Sequence, residues 1–386
     1  MTTPDDLTLR IGGASISGWT QLRVTRGMER VPSDFDIVMT ERFPGELNAV
    51  TVVPGAPCQV LLGTEVVITG YVDRFAPSLS PQGHQVRVVG RGKCCDLVDC
   101  SAEWPGGQIS GTSALDVATK LAAPYGISVA LAPGVSPGPK IPQFNLILGE
   151  TAWELIERVC RYAALVPFEL PDGSLQLAQV GTTAHASGFA QGQNVMQATI
   201  QYGMDQRYSR YVAFLQSVEN LGDQGAGGVD GNVLAVMTDH TVSRHRQLDI
   251  IAEAGAGGQD IAVTRAQWEL ARRWGRSFVC RLTTDSWRDA QGDLWQPNRL
   301  ALVDLPLLKT AQAQWLIGEV SFHLDAARGT TAELTLMPPE AFAPQPTLLQ
   351  PAWLMELTST LPTQLGPSSG FFTMAQLTNQ ATGGTP

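Results

Sequence analysis

An internal repeat constrains this chain more than any other feature of its sequence. The stretch GMERVPSDF (27–35) is echoed by GMDQRYSRY (203–211), with a glycine, a methionine, an acidic residue, a serine and an aromatic ring at the same offsets. The matching residues are Gly27, Met28, Glu29, Ser33 and Phe35 in the first copy and Gly203, Met204, Asp205, Ser209 and Tyr211 in the second. Because short echoes arise by chance, a duplicated domain must also repeat the segments that follow.

The later segments do repeat in the same order. VVITGYVDRF (66–75) is matched by QWLIGEVSFHL (314–324), which places Gly70 over Gly318. Each copy then passes through a loop glycine into an alternating stretch, HQVRVV or TAELTL, of the kind that forms half-buried strands. We therefore predict an internal duplication. The alternative is a pair of unrelated β domains that share hairpin patterns.

Glycine-punctuated strands without alternating βα units are typical of small antiparallel barrels or sandwiches. The predicted fold class is α+β, mainly β, with two similar antiparallel β-barrel domains, an intervening α+β module and an insertion in the second barrel. The predicted boundaries are 1–98 for the first barrel, 99–186 for the α+β module, 187–220 with 277–337 for the second barrel, 221–276 for the insertion and 338–386 for the tail.

Three helices are predicted from their end signals and apolar spacing. TSALDVATKLAAPYG is ended by Pro124 and Gly126, and GETAWELIERVCRYAAL begins at the capping box of Thr151 and Glu154. In the insertion, TRAQWELARRWG is predicted to begin at Thr264. The tail is rich in proline, threonine and glutamine and cannot build a core, so it either docks on a partner or is a disordered terminus.

The composition excludes some function classes. A formal net charge of −10 and a pI near 5.0 argue against a phosphate-binding surface, since affinity for nucleic acid comes largely from Lys and Arg. Charged residues are only 16%, against about 25% in average proteins, and such a neutral surface favours a component of an assembly. No signal region and no run of roughly 18 apolar residues is present, so we expect no membrane insertion. The six scattered cysteines indicate reduced thiols.

Two motifs resemble catalytic or phosphate-binding loops without their context. GVSPG (134–138) has the letters of a nucleophile elbow around Ser136, but prolines replace the strand and helix that this motif requires on either side. GDQGAGGVDGN (222–232) has neither the lysine of a P-loop nor the glycine order of a dinucleotide-binding turn. We interpret the first as an irregular linker and the second as a hinge or a disordered loop.

The candidate metal ligands are equally incomplete. His240 and His245 lie five residues apart, which is not the spacing that places two ligands on one helix face. The cysteines of CCDLVDC (94–100) fit no zinc-binding spacing, and no second ligand pair follows them. The sequence therefore predicts no catalytic residues, no cofactor and no metal site.

Several longer segments resemble a known family. SDFDIVMTERFPG (33–45), GRGKCCDLVDCSAEW (90–104), DSWRDAQGDLWQPN (285–298), LIGEVSF and LMPPEAFAP together are similar to the Mu-like phage baseplate hub proteins, the tail protein P family of contractile-tailed phages. The likeness runs in order over nearly the whole chain to about residue 345. The final stretch is not covered by it.

The resemblance implies a trimeric hub that joins the tail tube, or a tube-initiating protein, above to the central spike below. It implies two similar barrels in each subunit, so that three subunits offer six equivalent positions to a sixfold tube. The repeated residues, with Gly70 and Gly318, would then form a duplicated barrel signature and a candidate ring or tube interface. Other baseplate proteins are further partners, DNA passes only passively through the channel, and the protein is assembled in the host cytoplasm into the virion.

Two other function classes remain open on the sequence. One is a tail-associated peptidoglycan-degrading enzyme, which could have its active site in the α+β module. The other is a glycan-binding protein, for which the isolated 99–186 fragment should bind glycans. If the hub interpretation holds, we expect the two barrels to superpose with Gly27 on Gly203, Phe35 on Tyr211 and Gly70 on Gly318. We also expect the insertion to project from the ring and the channel wall to be acidic or neutral.

Overall fold

The structure, a computed structural model, describes residues 6–40, 52–81, 83–141, 143–215, 233–252 and 258–346. The glycine-rich stretch at 222–232 and the tail from 347 onward lie outside the described residues. Strands dominate, and a large, mostly antiparallel sheet runs through the molecule. The predicted mainly β class is confirmed.

Seven strands form a first β unit over residues 6–92. They are β1 (Leu7–Ile11), β2 (Ala14–Ile16), β3 (Gln21–Gly27), β4 (Asp34–Thr40), β5 (Pro57–Leu62), β6 (Glu65–Ser80) and β7 (Gly83–Gly92). Their order in the sheet is β3-β4-β7-β6-β5-β1-β2, and every pairing is antiparallel. Because side chains alternate along a strand, Phe35 and Ile37 of β4 and Val86 and Val88 of β7 all enter one core.

An α+β module follows, as predicted. It contains α1 (Cys95–Asp99), β8 (Gln108–Ser110), α2 (Ala114–Ala122), β9 (Val129–Leu131), β10 (Gln143–Asn145), α3 (Ala152–Tyr162), β11 (Val166–Glu169) and β12 (Leu175–Ala178). The capping box of α3 is confirmed, since Glu154 N donates to Thr151 Oγ1 at 3.2 Å and Thr151 N donates to Glu154 Oε2 at 2.8 Å. The helices cover one face of the β11-β12-β9 sheet, where Leu175 and Leu177 are fully buried.

The remainder of the described chain builds a second β unit and an insertion. Its elements are β13 (Phe189–Ala190), β14 (Val195–Tyr202), β15 (Arg210–Leu215), β16 (Val233–Thr238), β17 (Gln247–Ala252), α4 (Gly258–Arg276), β18 (Phe278–Thr284), β19 (Leu300–Leu305), β20 (Thr310–Asp325) and β21 (Gly329–Met337). We call β13, β14 and β18–β21 the second β unit. A 3₁₀ turn, Pro339–Phe342, closes it.

Both β units have the same strand order. In chain order, five strands of the first unit (β3 to β7) and five of the second (β14 and β18 to β21) lie side by side as first, second, fifth, fourth and third. All of these pairings are antiparallel. The sixth strand differs, because β1 runs antiparallel to β5 whereas the two-residue β13 runs parallel to β19. The shared order supports the predicted duplication.

Strand pairing contradicts part of the predicted correspondence. The counterpart of β4 is β18, so Phe35, which pairs with Gly90, corresponds to Cys280. Tyr211 instead lies in β15, within the separate β16-β15-β17 sheet of the insertion. The insertion therefore occupies 204–277 and not 221–276. The chain leaves the main sheet at Gly203, whose N–H donates to Ser277 O at 2.8 Å. The sequence repeat after Gly203 therefore does not correspond to equivalent positions in the two β units.

The register of the long strands also differs from the prediction. Just before the bulge of β6, Val72 exchanges hydrogen bonds with the chain at 55–56, and just before the bulge of β20, Ile317 does so with the chain at 298–299. Val72 thus corresponds to Ile317, and Gly70 lies three positions from Gly318. The two glycines serve different packing needs: a Cβ on Gly70 would lie 1.9 Å from Arg91 O, and one on Gly318 would lie 2.5 Å from a ring carbon of Phe342.

Helix α4 begins earlier than predicted, at Gly258, so the capping box proposed at Thr264 lies inside the helix. The helix packs on the small sheet of the insertion through Ala262, Ala266 and Leu270. On its other side it contacts the 3₁₀ turn of the second β unit. Ala262, which lies before the predicted start, is fully buried in the contact with the small sheet.

Gly70→Ala should lower the free energy of unfolding by about 1–3 kcal/mol or more, because the added methyl group meets backbone that cannot move aside without separating β6 from β7. Urea unfolding followed by tryptophan fluorescence measures the loss. Gln59→Ala, on the neighbouring strand, is the control and should stay within about 0.5 kcal/mol. A neutral Gly70→Ala would contradict the close strand packing described for this unit.

Candidate subunit interface

The first copy of the repeat lies where the two β units meet. β3 pairs antiparallel with β20, from Leu22 opposite Leu324 to Gly27 opposite Glu319. Met28 extends this contact, since its N–H donates to Gly318 O at 2.8 Å. Its side chain is almost fully buried in a cluster that belongs mainly to the second β unit, with Leu316, Met337, Ala341 and Phe342. The repeat therefore seals a contact between units within one chain.

Glu29 links the first β unit to the insertion. Arg272 Nη2 and Arg276 Nη2, both on α4, donate to Glu29 Oε1 at 2.9 and 2.6 Å. All three groups are partly exposed, so these ion pairs orient the helix more than they stabilise it. They place α4 against both β units. The expected projection of the insertion away from a ring stays a prediction.

Ser33 joins the first β unit to the α+β module through a buried carboxylate. Ser33 N and Cys94 N donate to the two carboxylate oxygens of Glu169, both at 2.8 Å. Arg26 is buried beside this group. Burial lowers the pKa of Arg26 to about 10, and the negative charge of Glu169 acts in the opposite direction. The carboxylate therefore satisfies one buried N–H group of the first β unit, at Ser33, and one at the start of the α+β module, at Cys94.

Glu169→Ala should destabilise the subunit by roughly 2–6 kcal/mol, because each of two buried N–H groups loses its acceptor at about 1–3 kcal/mol. Glu169→Gln should cost less, since one side-chain oxygen remains. Differential scanning calorimetry would rank the variants. Glu157→Ala, an exposed residue of α3, is the control and should be near neutral; equal stability of all three variants would refute the bridging role.

The methionine of the second copy is exposed, whereas the methionine of the first copy is buried. Met204 is 42% exposed, whereas Met28 is 1% exposed. Asp205 is exposed too, and its Oδ1 atom lies 3.1 Å from the position a Cβ would take on Gly203. No apolar cluster of the described residues includes Met204.

The other signature residues predicted from the sequence lie in the cores of separate parts of the chain or at their surfaces. Phe35 is fully buried in the core of the first β unit. Ser209 and Tyr211 belong to the insertion, where Arg246 N donates to Ser209 Oγ at 2.8 Å and Tyr211 is fully buried. The structure therefore does not bring all twelve signature residues together. Only three pairs occupy matching places at the ends of β3 and β14: Gly27 with Gly203, Met28 with Met204, and Glu29 with Asp205.

Met28→Ala should lower the free energy of unfolding by about 2–5 kcal/mol, as expected for a long side chain removed from a core. The contact is intrachain, so the loss should not change with protein concentration. Met204→Ala should cost under about 0.5 kcal/mol in the dissociated subunit. Urea unfolding at two concentrations tenfold apart tests both statements. Equal losses for the two variants in dilute protein would contradict the contrast in burial.

Two exposed strand edges were not identified from the sequence. β14 pairs only with β18 among the described residues, which leaves its other edge open. On β6, the edge used by β5 ends near Val72, and residues 74–79 pair only with β7 in the described part of the chain. Both edges carry exposed apolar side chains, including Met196 and Leu79. The sequence VMQATIQY (195–202) indicates a strand, with Ala198 and Ile200 packed against the core, but nothing in it shows which edge of the strand stays open.

The candidate catalytic and metal-binding groups do not form a site. Ser136 lies in an irregular segment, where its Oγ accepts a hydrogen bond from Gly138 N at 3.3 Å. His185 is buried; its Nδ1 lies 3.0 Å from Asp289 Oδ2 and its Nε2 accepts a hydrogen bond from Gln296 N at 3.1 Å, so both ring nitrogens have hydrogen-bond partners. Among the described residues, no group of three His, Cys, Asp or Glu side chains could hold a metal ion. None of the described helices is long and apolar enough to span a membrane.

Comparison with known proteins gives a consistent set of matches. Residues 6–92 match the family described as Mu phage baseplate assembly protein GpP-like, N-terminal. Residues 94–179 match the baseplate hub protein gp44-like second domain, and residues 258–345 match the Mu phage baseplate assembly protein GpP fourth domain.

Whole-chain relatives agree with these matches. The chain is 28% identical over 344 residues to the baseplate hub protein gp44 of Escherichia phage Mu. This alignment covers 87% of this chain and 88% of that protein. The crystal structure of the prophage MuSo2 43 kDa tail protein from Shewanella oneidensis is 30% identical, with a TM-score of 0.77 over 87% of this chain and 99% of that one. A tail protein from Neisseria meningitidis MC58 shares the fold, with 23% identity and a TM-score of 0.71 over 89% of this chain and 99% of that one.

The strand-built architecture and these relatives define a component of a phage tail baseplate. The chain belongs to the family of Mu-like phage baseplate hub proteins.

Proposed function

We propose that this hub protein acts as a homotrimer that adapts the sixfold tail tube to the threefold central spike and encloses a channel for DNA. Its partners are other copies of itself, a tube or tube-initiating protein on one side, the spike on the other, and neighbouring baseplate proteins. It is a structural protein and not an enzyme, assembled in the host cytoplasm and retained in the virion.

The observation that carries this proposal is the shared strand order of the two β units. A sixfold partner presents six equivalent surfaces, and a trimer can meet all six only if each chain supplies two similar faces. Successive faces around such a ring are related by a rotation of about 60°. The duplicated units, at two per chain, provide this number.

The charge of the chain is consistent with a passive DNA channel. A net charge of −10 gives no general attraction for phosphates, and a neutral or acidic wall would let the genome slide. Mapping the potential on the lumen of an assembled baseplate would test this point. A basic lining would contradict passive passage.

Nothing among the described residues favours the competing enzyme function. Within the α+β module, Ser136 lies in an irregular segment, and the two oxygens of the buried Glu169 accept hydrogen bonds from Ser33 N and Cys94 N. Glycan binding by the same module likewise has no supporting contact among its described residues.

Purified protein should behave as a trimer of about 124 kDa, three times the 41.4 kDa of one chain, in size-exclusion chromatography with light scattering. The reason is that exposed edges and apolar side chains favour association, and obligate interfaces commonly bury about 2,000 Å² or more. A monomer at micromolar concentration would count against the trimer.

A turbidity assay on bacterial cell walls, with a known lysozyme as positive control, should show no clearing by this protein. Clearing would show that the protein is a hydrolase and would overturn the structural function.

Complementation of a phage that lacks its hub gene should restore full tails, and empty or tube-less tails would contradict the hub role.

A further inference from the structure

We propose that the exposed edge of β14 in one copy adds to the exposed outer half of β6 in the next copy, and that Met204 seats against Pro57 and Tyr71 of that neighbour. This inference rests on the proposed trimer and specifies how its ring closes. It follows from the contact that β3 and Met28 already make with the second β unit inside each chain.

The intrachain contact supplies the template. β20 is longer than its partner β19, and its outer half, beyond the bulge at Gly318, takes up β3 on the edge that β19 has left. In the first β unit, β6 plays the part of β20 and is likewise longer than β5. Beyond the bulge after Val72, residues 74–79 pair only with β7 among the described residues. In the second β unit, β3 occupies this edge of β20. In the first β unit, no described strand occupies the equivalent edge of β6.

Matching hydrogen-bond positions fix the register of the open joint. Val72 corresponds to Ile317, and the hairpin ends correspond as well, with Ser80 opposite Gly83 and Asp325 opposite Gly329. β3 and β14 correspond through Gly27 and Gly203. Transferring the pairing of β3 with β20 then gives three expected pairs between copies: Arg74 with Gly203, Ala76 with Gln201, and Leu79 with Ala198.

The side chains at these positions differ in exposure as an open joint requires. Thr25 is 2% exposed in β3, where its hydroxyl contacts Ser321 Oγ at 2.8 Å across the strand pair. Its counterpart Gln201 is exposed, and so is Ala76, the counterpart of Ser321. Strand addition would bury these side chains. It would also pair the backbone N–H and C=O groups of an edge that otherwise promotes uncontrolled association.

Met204 has a matching receptor on the first β unit. Met28 packs against Leu316, with Leu300 beside it, and Leu316 and Leu300 pair across β19 and β20. The equivalent cross-strand pair in the first unit is Pro57 with Tyr71. Both residues line an open cavity of about 330 Å³. A methionine is a suitable occupant, since it is flexible, apolar and favourable beside an aromatic ring.

Charge is complementary at the same joint. The carboxylate of Asp205 lies over Gly203, and Gly203 is the residue that would face Arg74 of the neighbour. Arg74 is exposed and forms no salt bridge with the described residues. The joint differs from its template in one respect, because Pro77, at the place of Phe322, has no N–H to donate. A joint between copies with one hydrogen bond fewer is weaker than the joint within the chain.

A designed disulfide tests the register directly. Ala76→Cys combined with Gln201→Cys should give covalent trimers on a non-reducing gel after mild oxidation, because directly opposed residues in a sheet lie within disulfide reach. Thr25→Cys with Ser321→Cys is the matched positive control and should form the same bond inside one chain. Ala76→Cys with Arg281→Cys, an exposed residue on the inner strand β18, should form no cross-link.

The outcomes separate this inference from the proposed trimer. If light scattering shows a trimer, the control pair oxidises and the test pair does not, the strand joint is wrong and the trimer stands. If the wild-type protein is a monomer, the trimer itself fails.

Met204→Asp should raise the dissociation constant of the trimer at least tenfold. Ile251→Asp, at an exposed residue of the insertion, should leave the dissociation constant unchanged. Unchanged association of Met204→Asp would overturn the seat at Pro57 and Tyr71.

Discussion

The backbone ladder between β20 and β3 is the interaction on which the rest of the structure depends. One strand of 16 residues pairs with β19, β21 and β3, so a single set of backbone hydrogen bonds fixes the second β unit against the first. Met28 then caps the joint with apolar burial and Glu29 attaches the insertion helix to it. Because hydrogen bonds in a sheet are directional, this joint sets a defined angle between the two units, which loose packing could not do.

A similar need for defined geometry explains the buried carboxylate of Glu169. It ties the α+β module to the first β unit through N–H groups of Ser33 and Cys94, and Gly92 is required beside it because a Cβ there would lie 2.1 Å from Glu169 Oε2. The first β unit is therefore connected to the module, to the second β unit and to the insertion by specific polar contacts. Such a framework suits a protein whose proposed role is to hold two partners of different symmetry in register.

The insertion leaves the strand order of the second β unit the same as that of the first. The chain leaves the sheet after Gly203 and returns at Ser277, and the hydrogen bond between these residues restores the sheet as if the intervening residues were a short turn. Their sheet and helix form a small core of their own around Tyr211. Loop closure at such a neck costs little for a long insertion, so the second β unit keeps the strand order of the first.

Sequence alone determined the mainly β class, the α+β module with its capped helix at Thr151, and the equivalence of Gly27 with Gly203, because these depend on local periodicity, capping and short repeats. It could not determine which residues of the second β unit occupy the positions equivalent to Phe35 and Gly70. Those matches depend on hydrogen-bond register across strands distant in sequence, and a large insertion hides them. The open edges of β6 and β14 were also decided only by tertiary structure, since a strand is an edge only by virtue of which other strands fail to cover it.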